Sequence, residues 1–182
     1  MNYHNILRSG RDGTGMRVVL YVSGCDNACK GCQNPETWDC NSGIPFDEQA
    51  KAELFSMLDD PWISGLTLSG GDPMFMTNRK EIGRLVKEVK DRFPNKTIWL
   101  YTGKSWKYVR ELNLDWLELI DVICDGKFAI ELRNVDTRWV GSSNQKVIDV
   151  KASLNNNSIV LFEEGGKSDG IERTVIKSTC GC

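Results

Sequence analysis

The sequence predicts an α/β fold in which parallel strands alternate with helices to form a small, incomplete (βα) barrel. Short apolar or β-branched runs alternate along the chain with amphipathic helical patterns. Polar, mostly glycine-containing loops directly follow four of these runs, and loops at the carboxyl ends of parallel strands meet at one rim. The chain has 182 residues, whereas a complete eight-fold barrel typically takes ~250.

The first half of the chain contains two predicted strands and two predicted helices. The run MRVVLYVS, residues 16–23, is a strand that ends at a cysteine-rich loop. Residues 46–59 predict an amphipathic helix because apolar side chains recur there at helical spacing. A short strand at about 66–68 precedes a glycine pair. The second helix begins near Asn78, in a capping-box-like sequence, and ends at Pro94.

The second half continues the alternation. The third strand lies in KTIWLYTG, residues 96–103, and a short helix is predicted over 105–112. The fourth strand lies in LIDVICDG, residues 119–126. Weaker patterns predict further strands near 146–150 and 158–162.

The domain organisation follows from one change in composition. No internal repeat is present, and residues 153–158 and 163–170 are polar segments, the second of them rich in glycine. We therefore expect a single domain over residues 1–182, with a core at about 12–150 and an appendage or tail at 151–182.

Composition argues against several classes of function. The net charge is −2 and there is no long basic run, so the charge pattern of a nucleic-acid-binding protein is missing. No apolar stretch approaches the ~20 residues that span a membrane. The N-terminal segment lacks the apolar centre of a signal peptide. We expect a cytoplasmic protein that binds neither nucleic acid nor membrane.

Seven cysteines are many for a cytoplasmic chain, and in a reducing compartment they indicate metal or redox groups rather than disulfides. Four of them stand apart from the rest. Cys124 lies in an apolar run and is interpreted as a small buried hydrophobic residue. Cys180 and Cys182 have three interpretations, as a second metal site, as a redox pair or as part of a terminal tail, and we favour the tail. Cys40 has a role only in the zinc site considered next.

The other three cysteines form a C-x₃-C-x₂-C motif in GCDNACKGCQN. A structural zinc site is one interpretation, with Cys40 or His4 as the fourth ligand. The second interpretation is a [4Fe–4S] cluster that is held by three cysteines and leaves one iron open for a chelating ligand. The spacing alone does not distinguish them.

The motif and its surroundings resemble a known superfamily. A C-x₃-C-x₂-C loop after the first strand, with SGGDP after the next, resembles the radical S-adenosylmethionine superfamily. The segment DGTGMRVVLYVSGCDNACKGCQNPETWD, residues 12–39, is similar to the activating-protein family of anaerobic (class III) ribonucleoside-triphosphate reductase. LTLSGGDP, IWLYTG, DVICDGKF and WVGSSNQKVID follow in the same order.

The resemblance implies an enzyme with two cofactors. A [4Fe–4S] cluster cleaves S-adenosylmethionine reductively to a 5′-deoxyadenosyl radical, which generates a glycyl radical on the large subunit of the reductase. An electron donor such as flavodoxin is the second expected partner. The alternatives are another radical enzyme of the superfamily, either an activase of a different glycyl-radical enzyme or a deazapurine-pathway enzyme, and a zinc-binding module without enzymatic activity.

The resemblance also implies the site residues. The expected cluster ligands are Cys25, Cys29 and Cys32. The residues expected at the S-adenosylmethionine are Gly31, Cys32, Gln33, Gly70, Gly71 and Asp72.

Several further residues have two interpretations each. Tyr101, Thr102, Asp125 and Gly126 follow strands, so they line the site or serve as turns and caps. Arg17 interrupts an apolar strand, so it reaches a buried partner or faces outward at an edge. The tryptophans, including Trp38 and Trp139, are interpreted as packing residues.

Overall fold

The computed structural model describes residues 1–165, which form one mixed β-sheet with four α-helices. The strands are β1 (Asn2–Ser9), β2 (Met16–Val22), β3 (Ile44–Pro45), β4 (Ile63–Gly70), β5 (Thr97–Tyr101), β6 (Val122–Asp125) and β7 (Lys146–Asp149). The helices are α1 (Glu48–Asp59), α2 (Arg79–Arg92), α3 (Trp106–Glu111) and α4 (Val150–Asn155). The predicted Cys180 and Cys182 tail lies outside the described residues.

The sheet has the order β3-β1-β2-β4-β5-β6-β7. Its centre is parallel, because β2, β4, β5 and β6 pair in the same direction. The outer pairs β1–β2, β1–β3 and β6–β7 are antiparallel. The predicted α/β class with parallel strands is confirmed, and closure into a barrel stays a prediction.

Two strands, β1 and β3, are not predicted from the sequence. In β1 the buried residues Tyr3 and Ile6 are three positions apart, because the register shifts between Tyr3 and Asn5. This irregularity hides the alternation that marks a strand. The predicted strand at 158–162 is reduced to one bridge between Ile148 and Leu161.

Three of the four helices start where a local side chain accepts from the first backbone N–H groups, and α2 is the exception. At α1, Asp47 Oδ1 accepts from the backbone N–H of Gln49 and Ala50 at 3.0 and 2.9 Å. At α2 the expected capping role of Asn78 is wrong. Its side-chain Nδ2 instead donates to the backbone oxygens of Ser23 and Asp72, at 2.8 and 3.1 Å, so it connects two loops of the rim.

The core lies between the sheet and the apolar faces of the helices. Fully buried side chains of the central strands include Leu20, Leu66, Leu68 and Leu100. No helix among residues 1–165 is long and apolar enough to cross a membrane.

Candidate functional site

A cavity of about 580 Å³ opens at the carboxyl ends of the parallel strands. All four loops that follow these strands contribute to its wall, through Cys25, Cys29, Cys32, Gly71, Thr102 and Gly126. Backbone hydrogen bonds join neighbouring loops, including Gly71 N to Val22 O at 2.7 Å and Gly126 N to Lys104 O at 3.1 Å. The parallel sheet therefore brings the predicted motifs together at one edge, as expected.

The cysteine loop is fixed at both ends. Gly24 N and Cys25 N donate to the backbone oxygens of Thr37 and Trp38 at 2.7 and 3.0 Å, and Cys32 N donates to Cys29 O at 3.1 Å. These bonds hold the loop as a compact turn, although it contains no regular secondary structure.

Gly31 and Gln33 occupy different places in this loop. Gly31 has φ +74°, and a Cβ there would lie 2.8 Å from Ile130 Cδ1, so this position needs glycine. Gly31 supports the turn rather than lining the cavity, whereas Gln33 lies on the cavity wall.

The three thiols differ in burial but line the same cavity. Cys29 is buried, and Cys25 and Cys32 are partly exposed. Two sulfurs have hydrogen-bond donors nearby: Asn27 Nδ2 lies 3.3 Å from Cys25 Sγ, and Asn34 N lies 3.4 Å from Cys32 Sγ. Burial raises the pKa of the Cys25 and Cys29 thiols.

The three thiols lie on one cavity wall, as the ligands of a cluster would. Among residues 1–165, no group of three His, Cys, Asp or Glu side chains is placed to hold one metal ion. A [4Fe–4S] cubane takes one thiolate at each of several separate irons, so its ligands line a cavity without meeting at a point. Cys40 and His4 are not on the cavity wall, and His4 Nε2 lies 2.8 Å from Ser42 Oγ.

The glycine pair after β4 allows a close approach of two loops. Gly70 has φ +100°, and a Cβ there would lie 2.5 Å from the backbone nitrogen of Val22. A Cβ on Gly71 would lie 2.6 Å from Gly24 O and 2.9 Å from Thr37 O. Both glycines line the cavity, so no side chain separates their backbone from a ligand there, although Gly71 N already donates to Val22 O.

Comparison with known proteins identifies the family. The family model described as "4Fe-4S single cluster domain" matches residues 11–148. The anaerobic ribonucleoside-triphosphate reductase-activating protein of Enterobacteria phage T4 is 44% identical over 150 residues, which are 81% of this chain and 93% of the relative.

This chain belongs to the family of anaerobic ribonucleoside-triphosphate reductase-activating proteins. The relative of the same name from Escherichia coli is 39% identical over 150 residues, covering 81% of this chain and 97% of the relative. That from Haemophilus influenzae is 40% identical over 136 residues, covering 74% and 88%. The predicted family and the predicted [4Fe–4S] cluster are confirmed.

In this member of the activating-protein family, Asp72 lies behind the cavity wall. The residue is fully buried, and its Oδ1 accepts from Met74 N at 2.8 Å. Its Oδ2 accepts from Asn27 Nδ2 at 2.8 Å and from Gly103 N at 3.2 Å. Burial raises the pKa of Asp72, and hydrogen bonds that include one from the Thr102 hydroxyl oppose the rise. Its carboxylate connects the loops that contain Asn27 and Gly103, and Asp72 is not on the cavity wall.

Of the other residues at the strand ends, four line the cavity and one, Asp125, caps a helix. Tyr101 and Cys124 share a side-chain hydrogen bond, and both lie on the cavity wall. Cys124 is buried, as predicted, and burial raises the pKa of its thiol to about 12. Thr102 and Gly126 also line the cavity, whereas Asp125 accepts from Trp106 N at 2.8 Å and caps α3.

The guanidinium of Arg17 reaches buried partners in the neighbouring strands β4 and β5. Its guanidinium donates to Thr67 Oγ1, Leu66 O and Thr97 O at 2.7, 2.7 and 2.8 Å, and to Thr14 O at 3.2 Å. Burial lowers its pKa to about 10. The interpretation as an outward-facing edge residue is wrong, because the arginine connects three strands from within.

Two tryptophans expected to pack also contribute to the wall. Trp38 and Trp139 both line the cavity of this family member. Trp139 packs edge-on against Trp99 and Phe162, with ring centroids 5.1 and 5.7 Å away. Its Nε1 donates to Gly13 O at 3.1 Å, which holds the loop before β2 at the cavity.

Two residues that support the cavity wall are not predicted from the sequence. Gln145 Oε1 accepts from Gly141 N and Ser142 N at 3.0 and 3.1 Å, and its Nε2 donates to Gly126 O at 2.9 Å. Gln145 lies in the family motif GSSNQ, which carries no chemical signal of this role. Asn27 lies inside the cysteine motif, where an amide that contacts both sulfur and carboxylate cannot be recognised from spacing.

Proposed function

We propose that this chain activates an anaerobic ribonucleoside-triphosphate reductase by generating a glycyl radical on its large subunit. The observation that carries the proposal is the meeting of three thiols and a glycine pair in one cavity, in a chain of the activating-protein family. The bound cluster and S-adenosylmethionine supply the radical chemistry, in which one electron breaks the S–C5′ bond and the 5′-deoxyadenosyl radical takes a hydrogen atom from glycine.

Different residues of the cavity would bind the cluster and S-adenosylmethionine. Cys25, Cys29 and Cys32 would hold three irons of the cluster as thiolates, and S-adenosylmethionine would take the fourth. Gly70 and Gly71 would present backbone groups to the methionine end, because no side chain separates their backbone from the cavity.

Other residues complete the enclosure. Gln33, on the cavity wall, would flank the adenosyl group. Gly31 would maintain the turn of the cysteine loop. Tyr101 and Trp139 close the wall with large side chains that exclude water from a reactive radical. Glycine is a suitable target because its α-carbon carries no side chain to hinder an approach into this cavity.

We infer three finer points as part of the same proposal. The domain is of the radical S-adenosylmethionine type, with the sheet as part of an incomplete barrel. A flavodoxin-type protein donates the electron. The protein works in the cytoplasm, where reducing conditions keep the free thiols available for the cluster.

The test is anaerobic reconstitution followed by mixing with the reductase. We expect roughly four irons per chain, 5′-deoxyadenosine after addition of S-adenosylmethionine and dithionite, and the electron paramagnetic resonance signal of a glycyl radical on the reductase. Cys25→Ala should lose all three. Cys40→Ala, a cysteine off the cavity wall, is the matched control and should retain them.

The alternatives give different results in the same experiment. Cleavage of S-adenosylmethionine without a radical on the reductase would point to another radical enzyme of the superfamily. Zinc alone in the anaerobic protein would contradict the proposed chemistry. Reduced flavodoxin in place of dithionite tests the donor, and no cleavage with it would remove that part of the proposal.

A further inference from the structure

We propose that Asn27 is a positioning residue for the cluster ligand Cys25, that Asp72 anchors it, and that its amide raises the reduction potential of the cluster. This inference rests on the proposed cluster ligation but not on the identity of the reductase. Three features of the rim lead to it: a buried carboxylate whose two oxygens both accept hydrogen bonds from protein groups, an amide placed between two acceptors, and a glycine that makes room for that amide.

The first feature is the occupied carboxylate of Asp72. Both of its oxygens accept hydrogen bonds from protein groups, and the two shorter bonds come from Met74 N and Asn27 Nδ2, each at 2.8 Å. No buried side-chain nitrogen or oxygen within residues 1–165 lacks a partner. Because Asp72 N also donates to Gly24 O at 2.8 Å, the residue is fixed by both its backbone and its side chain. Asp72 can therefore serve as a rigid anchor.

The second feature is the position of the Asn27 amide. An amide NH₂ carries two hydrogens, and Asn27 Nδ2 lies 2.8 Å from Asp72 Oδ2 and 3.3 Å from Cys25 Sγ. One nitrogen can donate to both atoms at once. The bond to the carboxylate fixes the amide, and the amide then points its second hydrogen at the sulfur.

The third feature is Gly103, which directly follows Thr102 in the loop after β5. A Cβ at this position would lie 2.3 Å from Asn27 Nδ2 and 2.5 Å from its Cγ. Gly103 does not adopt a left-handed φ, so its backbone conformation would allow alanine. Glycine at position 103 therefore leaves the space that the Asn27 amide occupies, and a Cβ there would displace the amide.

The consequence for the cluster is electrostatic. The [4Fe–4S] cluster becomes more negative when it takes up one electron, so a donor at a ligand sulfur stabilises the reduced form more than the oxidised form. Hydrogen bonds to the sulfurs are one of the main determinants of cluster potential. Asn27 should thus make the cluster easier to reduce.

The experiment is a potentiometric titration of the reconstituted protein with dithionite, followed by electron paramagnetic resonance in the absence of S-adenosylmethionine. We expect Asn27→Ala to retain the iron but to lower the equilibrium constant for reduction by about tenfold, a shift of about 59 mV to more negative potential for one electron. Gly103→Ala should shift the potential in the same direction, because the new Cβ displaces the amide.

The double variant Asn27→Ala/Gly103→Ala distinguishes this mechanism from two unrelated effects. Asn27→Ala removes the three atoms nearest to a Cβ at position 103, which are Nδ2, Cγ and Oδ1 of Asn27, so the double variant should match Asn27→Ala alone. Asn41→Ala, an exposed asparagine near the same loop, is the matched control and should keep the parent potential.

Each outcome decides the inference. An unchanged potential in Asn27→Ala, or additive shifts in the double variant, overturns it. If Asn27→Ala does not fold, the Gly103→Ala variant decides alone, and an unchanged reduction potential in that variant overturns the inference. A parent protein that assembles no cluster overturns both this inference and the proposed function. A potential shift without a glycyl radical on the reductase supports the inference while the proposed function fails.

Discussion

Gly71→Ala should destabilise the protein by about 3 kcal/mol and should prevent assembly of a stable cluster site. The new Cβ would lie 2.6 Å from Gly24 O and 2.9 Å from Thr37 O, whereas ordinary contact begins at 3.4 Å. The backbone of the cysteine loop must therefore move away by several tenths of an ångström, since neither oxygen belongs to a flexible side chain.

The magnitude follows from what this movement disturbs. Gly24 O accepts from Asp72 N at 2.8 Å, and Thr37 O accepts from Gly24 N at 2.7 Å. Each of these hydrogen bonds contributes about 0.5–1.5 kcal/mol, and overpacking costs about 1–3 kcal/mol. Partial loss of the two hydrogen bonds together with the overpacking cost gives about 3 kcal/mol. This is less than the ~5–15 kcal/mol free energy of unfolding of a typical domain. The variant should therefore still fold.

The assay is anaerobic guanidinium unfolding of the cluster-free protein, followed by iron analysis after reconstitution. Gly10→Ala is the matched control, because a Cβ there would meet only Met16 Cε at 3.8 Å. We expect that control to lose less than about 0.5 kcal/mol, as is usual for a surface substitution. A Gly71→Ala variant as stable as Gly10→Ala, with full iron content, would refute the close-approach explanation.

The remaining predictions use other parts of the fold. Asp47→Ala should cost about 1 kcal/mol in unfolding experiments because α1 loses its N-cap, and a cost near zero would contradict the cap. Arg17→Met should cost about 3 kcal/mol or more, because the buried oxygens of Leu66, Thr67 and Thr97 lose the hydrogen bonds that the guanidinium donates; a variant as stable as the parent would contradict that explanation. Burial raises the pKa of Cys124 to about 12, whereas an unfolded cysteine ionises near ~8.5. Ionisation therefore favours the unfolded state above pH ~8.5, and stability should fall from there toward pH 12. Cys124→Ala should show a shallower fall, and identical pH profiles would argue against this burial effect.

The centre of the fold could be predicted from the sequence because its signals are local. The parallel strands are short apolar runs, and α2 presents Ile82, Leu85, Val86 and Val89 on one buried face. The positions of the motifs then followed from a general rule about carboxyl ends of strands. The edges were harder to predict: β1 contains an irregularity, and β3 is only two residues long.

The site shows a similar division. The three cysteines and the glycine pair were recognisable by spacing, and the structure places them at one cavity. The contacts that support them could not be recognised by spacing. Asn27 and Asp72 are 45 positions apart, and Gln145 contacts a backbone oxygen 19 positions away. Spacing reveals residues that act together along the chain, whereas these contacts depend on how the loops fold onto each other.

The tryptophans of the cavity give the molecule an intrinsic optical probe. Trp38 and Trp139 lie on the same wall as the three thiols, and Trp139 is held by the ring contacts with Trp99 and Phe162. An iron–sulfur chromophore absorbs broadly where indole emits, so its arrival should quench the fluorescence of both rings. Filling of the centre can thus be timed in a stopped-flow instrument without any attached dye.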